Sequence, residues 1–196
     1  MEFVARLAGK IGNTLVHSNV IKEEDAEIYI YGINQILVSV LNVSSALIIG
    51  LIFGVLPEIA VFMAAYIPLR SFAGGYHAKN PLRCYIFSVI MLIVVSIGMN
   101  YLLYMEDWVY YVVLATSVSV MFILAPVEDR NKPLDETEHK VYKRRTTLIA
   151  VIELIIALLL KLLISDSLFV AIVYSFVVLS LMLIAGKVKN RFDVSK

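Results

Sequence analysis

The chain has few of the residues that form disulfides and zinc sites. It contains one cysteine, Cys84, and three histidines, His17, His77 and His139, which are scattered along the sequence. A single cysteine excludes an internal disulfide, and so few scattered histidines argue against a zinc site. We therefore expect neither a metal ion nor another cofactor.

Charge is also scarce. Charged residues make up 17% of the 196 residues, and the formal net charge is +1. Basic residues are not abundant, and we expect no nucleic-acid partner. The first 20 residues lack a continuous apolar core after a basic start, so they do not read as a secretory signal. No internal repeat is present, and residues 1–196 are interpreted as a single domain.

Apolar residues, in contrast, are in excess. They make up 60% of the chain, and the mean hydropathy is +0.85. The hydrocarbon core of a bilayer is about 30 Å thick and needs about 20 apolar residues in helical form, because lipid offers no partner to unsatisfied backbone groups. The sequence therefore predicts an all-α integral membrane protein that is surrounded by the lipid bilayer.

Six stretches are long enough to cross the membrane as helices. The first two share residues 28–69 and are separated by a turn near residues 54–58. The other predicted spans are residues 84–105, 108–127, 146–164 and 168–186. The predicted fold is thus six transmembrane helices in one membrane domain.

Basic residues predict the orientation of these helices. Segment 128–145 holds six Lys or Arg residues, the tail 187–196 holds four, and segment 70–84 holds three, whereas the other turns hold none. Since basic loops remain on the cytoplasmic side, we expect both termini, segment 70–84 and a charged loop at 128–145 to face the cytoplasm of a multi-pass cell-membrane protein.

Residues 1–20 carry a helical pattern of their own. Apolar residues recur at helical spacing, at Val4, Leu7, Ala8, Ile11 and Leu15. This amphipathic pattern predicts a helix that lies on the cytoplasmic surface of the membrane. A frayed helix without a packing partner is the alternative.

Segment 70–84 is a polar island between apolar runs, and its end reads as a helix start. Asn80 is a favoured N-cap, and Pro81 is tolerated at the first helical position. Cys84 then occupies the fourth position, where the helix dipole and the neighbouring Arg83 favour a thiolate. A small buried hydrophobe is the alternative role of a lone cysteine.

A nucleophilic cysteine needs a proton acceptor, and His77 lies seven residues before Cys84. Gly75, in the pair before His77, allows the chain to fold back toward Cys84. Helix-start N–H groups, with help from Arg70, would bind an oxyanion on a substrate carbonyl. The alternative is that the histidine is only a polar tip at the membrane interface.

Two further features have open interpretations. Glu153 lies inside the fifth span, where ionised groups are costly, and it would pair with Arg70 or orient His77. Arg70 and Glu153 also suit a rival function, a small transporter or channel-like protein in which both line a substrate path. Gly50 and Gly54 form a Gly-x-x-x-Gly pair, which allows either close packing within the chain or a homodimer.

Several of these residues together resemble the accessory gene regulator B family. The resemblance rests on Arg70, the run Ala73-Gly74-Gly75, His77-Ala78 and Cys84, and on a second stretch with Ala125-Pro126, Lys132-Pro133 and the basic cluster Lys140, Lys143, Arg144 and Arg145. Members of that family are membrane-embedded cysteine endopeptidases that cut the precursor of a quorum-sensing peptide and help to cyclise it. The resemblance implies that Cys84 is the nucleophile and His77 its base.

The resemblance also implies a partner, a short amphipathic signal pro-peptide that is cut near its C-terminal end. The thioester on Cys84 would then exchange with a thiol or hydroxyl of the peptide and give a thiolactone or lactone. The basic cluster Lys140, Lys143, Arg144 and Arg145 would bind an acidic peptide tail. A solvated connector without a binding role is the alternative for this segment.

Overall fold

The computed structural model describes residues 1–76, 78, 80–102, 105–128 and 133–194, and these contain seven α-helices. The helices are α1 (Glu2–His17), α2 (Ala26–Phe53), α3 (Leu56–Ala73), α4 (Pro81–Leu102), α5 (Asp107–Leu124), α6 (Glu136–Leu163) and α7 (Asp166–Val194). Helices α2 to α7 are all long and apolar enough to cross a membrane. The prediction of a six-span membrane protein with an additional N-terminal helix is confirmed.

Helix α7 forms the centre of the bundle. In its most apolar stretch 67% of the residues are buried, against 17% to 28% in the other five spans. It packs against α3, α5 and α6 and also touches α4. Phe169, Phe176 and Leu183 are among its fully buried side chains. A helix that is apolar on all faces is stable in this central position, and it forms the wall behind the polar island.

Helix α6 corrects the predicted charged loop at 128–145. The helix begins at Glu136, ten residues before the predicted span, so the second half of that segment is helical. Asp135 accepts the Glu138 N–H at 2.7 Å, and the Glu138 carboxylate accepts the Asp135 N–H at 3.2 Å. This capping box starts the helix on polar residues, which a criterion based on apolar length does not detect.

Several other span ends differ from the prediction. Helix α3 continues to Ala73 instead of ending at residue 69, so the first four residues of segment 70–84 are helical. Helix α5 ends at Leu124 rather than at residue 127, because Ala125 precedes Pro126 and is extended. Helix α4 begins at Pro81, where the Asn-Pro pattern places a helix start. Helix α7 continues past Gly186 to Val194.

Helix α1 packs against α2, with Ala8 and Gly12 buried, so the frayed-helix alternative is wrong. Gly12 lies directly against Ile30 of α2. The position of α1 on the membrane surface stays a prediction. Gly50 is also used within the chain, since a Cβ there would lie 3.1 Å from the Leu56 Cα of α3.

The two ends of the bundle differ in chemistry. At one end, Lys161 bonds Asp107 at 2.8 Å and Asp166 at 3.1 Å, which joins α5, α6 and α7. The polar island, the start of α6 and the end of α7 share the opposite end. A parallel bridge between Gly74 and Val127 connects the island to the segment after α5. The basic segments therefore lie together, and the prediction that this end faces the cytoplasm stays open.

Candidate functional site

The polar island begins with a backbone junction. Gly75 N–H donates to the Val127 carbonyl at 3.1 Å, and Val127 N–H donates to the Ala73 carbonyl at 2.8 Å. Gly74 and Gly75 have φ angles of 72° and 119°, which L side chains rarely adopt. A Cβ on Gly75 would lie 3.0 Å from the Met182 carbonyl oxygen of α7. Both glycines are therefore required for the turn and for its close approach to neighbouring backbone.

Tyr76 is held from several directions. Its N–H donates to the Met182 carbonyl at 2.9 Å, and its own carbonyl accepts from the Arg70 guanidinium. Its ring lies 5.9 Å from the Phe87 ring of α4 and 5.6 Å from the Lys189 Nζ of α7. Arg70 and Gly75, both predicted to support the site, thus act on the residue that directly precedes His77 in the sequence.

The start of α4 positions Cys84. Asn80 accepts the Leu82 N–H on its side chain at 2.8 Å and the Cys84 N–H on its carbonyl at 3.1 Å. The predicted helix start is confirmed, and Cys84 is exposed at the fourth position. These two N–H groups already have partners, so the helix start is a poorer oxyanion site than expected.

The contact between Tyr76 and Phe87 brings the island to the Cys84 face of α4. Phe87 lies three residues after Cys84, and side chains at this spacing share one face of a helix. The ring of Tyr76 therefore lies against the face of α4 that carries the sulfur. His77 itself lies outside the described residues.

Tyr66 of α3 also lies near Arg70 and Cys84, which the sequence analysis did not predict. It lies one turn before Arg70 on α3, and the Arg70 guanidinium and the Cys84 sulfur both interact electrostatically with its hydroxyl. Its ring stacks on Phe62 with centroids 5.4 Å apart. A tyrosine in an apolar span is usually a packing residue. Only its spacing of four residues from Arg70 could have indicated a role at the site.

Glu153 is not brought to Arg70. Its side chain is 7% exposed, and its Oε2 atom is buried with no hydrogen-bond partner among the described residues. The neighbours of Glu153 on α6, Ala150 and Ala157, are part of the apolar core between α3, α6 and α7. The suggested ion pair between Glu153 and Arg70 is absent, and a role in orienting His77 stays a prediction.

Among the described residues several clefts open at this end of the bundle, and two of them adjoin each other. The first, which we name the Arg70 cleft, has a volume of about 560 Å³ and lies between α2, α3, α6 and the segment after α5. The second, the lysine cleft, has a volume of about 720 Å³ and is bordered by Lys140, Lys143 and Lys187. The clefts share four lining residues, Pro126, Val127, Glu128 and Leu134. They are therefore adjacent parts of one surface.

The predicted basic cluster is divided by the start of α6. Lys140 and Lys143 border the lysine cleft, whereas Arg145 lies over the Phe72 ring, 5.2 Å from its centroid. Arg144 borders neither cleft. Lys187 joins the two lysines from α7, and the sequence did not indicate this because it lies beyond the predicted end of that helix.

Three acidic residues also line the lysine cleft, Glu128, Asp135 and Glu136, and the first two have partners of their own. The Glu128 carboxylate accepts the Leu134 N–H at 2.9 Å, and Asp135 caps α6. Within the described part of the chain, no group of three His, Cys, Asp or Glu side chains is placed to hold a metal ion. Tyr66 and Arg70 line the Arg70 cleft, which adjoins the lysine cleft, whereas Cys84 lines neither of the two.

Comparison with known proteins agrees with this arrangement. A family model described as accessory gene regulator B matches residues 5–184. An AgrB-like protein 2 of Clostridium perfringens strain 13 is 28% identical, over 68% of this chain and 63% of its own length. An AgrB-like protein of C. perfringens strain SM101 is 26% identical, over 78% of this chain and 73% of its own length.

A third relative, an AgrB-like protein of Clostridium acetobutylicum, is 30% identical over 53% of this chain and 49% of its own length. The match with the first relative, from C. perfringens strain 13, spans less than two thirds of that protein. No solved structure matches this chain. The family model covers nearly all of the six-span bundle and the polar island, and the chain belongs to the accessory gene regulator B family.

Proposed function

We propose that this protein is a membrane-embedded cysteine endopeptidase of a quorum-sensing system, which cleaves a signal pro-peptide and promotes its cyclisation. The observation that carries the proposal is the packing of Tyr76 on Phe87 at 5.9 Å, on the helix face of the exposed Cys84. This contact holds the residue before His77 beside the only sulfur nucleophile of the chain.

The reaction begins when the Cys84 sulfur attacks the scissile carbonyl carbon and its proton passes to His77. The tetrahedral oxyanion collapses, the C–N bond breaks, and His77 returns the proton to the leaving amine. This step releases the C-terminal fragment and leaves a thioester on Cys84. Arg70 supports the step by holding the Tyr76 carbonyl, and its guanidinium also interacts with the Tyr66 hydroxyl.

Ring closure follows from the same thioester. A cysteine thiol within the bound acyl segment attacks the thioester carbonyl, and its proton passes to the departing Cys84 sulfur. The product is a thiolactone, and a serine in place of the cysteine gives a lactone. Since nucleophile and electrophile belong to one bound chain, proximity favours closure over attack by free thiols.

The pro-peptide partner is a short amphipathic peptide with an acidic C-terminal tail. Lys140, Lys143 and Lys187 around one cleft suit such a tail, because acidic side chains pair with clustered cations. The shared wall of the two clefts allows one extended peptide to occupy both. Arg145, which packs on Phe72, is the weakest candidate of the predicted basic set for direct contact, and Arg144 borders neither cleft.

Homodimer formation is a separate proposal that this site does not require. The Gly-x-x-x-Gly pair that suggested it is occupied within the chain at Gly50. The transporter alternative requires Arg70 and Glu153 to line one path. Arg70 borders its cleft, but Glu153 is not among the lining residues of either cleft.

The decisive experiment is a cleavage assay with the full chain reconstituted in lipid nanodiscs. The peptide probe is taken from a short reading frame beside the gene that encodes an amphipathic helix, a central Cys or Ser and an acidic tail. Mass spectrometry follows the released fragment, the cyclic product and a Cys84-linked thioester. Cys84→Ala is expected to abolish cleavage, and Cys84→Ser to slow it at least 100-fold.

Ser88→Ala is the matched control, since Ser88 lies one turn further along α4 and donates to the Cys84 carbonyl at 3.0 Å. It is expected to retain cleavage within about threefold. If Cys84→Ala cleaves the probe as well as the wild type does, the peptidase proposal is wrong. Peptide transport that persists in Cys84→Ala, without cleavage by the wild type, would favour the rival function.

A further inference from the structure

The last turns of α7 lie directly behind the polar island, and they use residues outside the predicted site. Met182, Gly186 and Lys189 follow one another at intervals of four and three residues, so they share one face of the helix. This face contacts Gly75 and Tyr76.

Gly186 allows the island backbone to reach α7. A Cβ at this position would lie 2.7 Å from both the Gly75 carbonyl carbon and the Tyr76 nitrogen. Both are backbone atoms, and the Tyr76 N–H is fixed at 2.9 Å from the Met182 carbonyl. A methyl group at residue 186 would therefore push the island away and lengthen this hydrogen bond.

The Met182 carbonyl can accept this additional bond. Within a helix it faces the N–H of Gly186, four residues later, and a carbonyl oxygen has a second lone pair. A glycine at this point leaves that side of the oxygen open to Tyr76. The helix thus provides both the gap and the acceptor for the island.

Lys189 and Phe87 hold the ring of Tyr76 between two helices. The Lys189 Nζ lies 5.6 Å from the ring centroid, within the range of a cation–π interaction. The Phe87 ring lies 5.9 Å away on α4. Tyr76 therefore links α7 to the helix that carries Cys84.

We propose that Gly186 and Lys189 are positioning residues of the endopeptidase, which seat Tyr76, the residue before His77, against the helix of Cys84. The inference rests on the proposed function. The helix of Cys84 is held separately from α7, by a 2.7 Å bond between the hydroxyls of Ser45 on α2 and Tyr85. A displaced island should therefore impair catalysis while α4 and the bundle stay intact.

The first test compares Gly186→Ala with the wild type in the nanodisc cleavage assay. We expect kcat to fall at least 30-fold, with KM within threefold and an unchanged melting temperature. The rate at which iodoacetamide alkylates Cys84 should depend on pH in Gly186→Ala as it does in His77→Ala. General destabilisation would not produce this change in the pH dependence. Gly32→Ala is the control, because a Cβ at residue 32 has no heavy atom within 4 Å, and its kcat should stay within twofold.

The second test replaces Lys189. Lys189→Met keeps the side-chain length and removes the charge, and kcat should fall 3- to 10-fold, whereas Lys189→Arg should restore it because a guanidinium also stacks on an aromatic ring. This pair decides the question if Gly186→Ala does not fold. A folded Gly186→Ala with kcat within threefold of the wild type, or Lys189→Met with unchanged kcat, overturns the positioning role.

These outcomes are separable from the proposed function itself. Loss of cleavage in Cys84→Ala, together with full activity in Gly186→Ala, leaves the peptidase in place and removes only the positioning role. A wild-type protein that never cleaves the probe contradicts both.

Discussion

Gly74→Ala tests whether the junction between the island and the segment after α5 is needed for activity. Gly74 has φ 72° and ψ −146°, a conformation that is essentially restricted to glycine. A Cβ at residue 74 would also collide with the Val127 carbonyl oxygen, which accepts the Gly75 N–H. The substitution therefore acts on both the turn and the bridge.

The expected cost has two parts. Forcing alanine into this backbone region costs about 1–3 kcal/mol. Displacement of Val127 weakens the two junction hydrogen bonds, each worth about 1 kcal/mol. The sum is about 3–5 kcal/mol, and each 1.4 kcal/mol corresponds to about a tenfold change in an equilibrium. If the seated state of the island loses this much free energy, kcat/KM should fall at least about 100-fold.

Gly54→Ala is the matched control for this experiment. Gly54 ends α2 with φ 69°, and a Cβ there would have no heavy atom within 4 Å. It carries a backbone cost of about 1–2 kcal/mol without a collision, so kcat/KM should stay within about threefold. The assay is fragment release in nanodiscs, with the melting temperature measured in parallel. Equal activities of the two folded variants would refute the role of the junction.

Three further predictions concern other parts of the molecule. Lys161→Met removes two ion pairs and a contact with the Phe169 ring. It should lower the free energy of unfolding by about 1–2 kcal/mol without affecting kcat. An unchanged melting temperature would contradict this. Lys143→Glu should raise KM about fivefold at low salt and less at high salt, with kcat unchanged. Lys10→Glu on α1 is the control and should leave KM unchanged. Equal KM changes in the two variants would exclude the lysine cleft as the binding site of the acidic tail. The orientation is tested with single cysteines in a Cys84→Ala background and a membrane-impermeant maleimide. Ser167→Cys should be labelled on intact cells, and Ser18→Cys only after lysis. The reverse result would invert the predicted orientation.

Much of the fold could be predicted because its determinants are local. The apolar length of each span and the obligation to satisfy backbone groups in lipid are properties of contiguous sequence, and all six spans are present. The start of α4 at Pro81 follows from Asn80-Pro81 alone. The predicted boundaries were wrong where polar residues continue a helix beyond its apolar part, as at the capped start of α6.

The candidate site divides in the same way. The sequence marked Arg70, Gly75, His77 and Cys84 because charged, flexible and nucleophilic residues lie close together in a short polar segment. Their catalytic roles stay predictions, and for His77 the described residues give only its neighbours. The pairing of Glu153 with Arg70 was wrong because nearness to one end of a span does not fix the face that a side chain occupies.

The sequence by itself determined the membrane class, the number of spans, the start of the Cys84 helix and the chemical character of the island. Only the tertiary structure decided that Val127 and Gly186 enclose the island, that Tyr76 bridges α4 and α7, and that Lys187 joins the lysine cleft. These contacts join residues that are far apart in the chain. They depend on how whole helices pack, which the local pattern of apolar and polar residues does not specify.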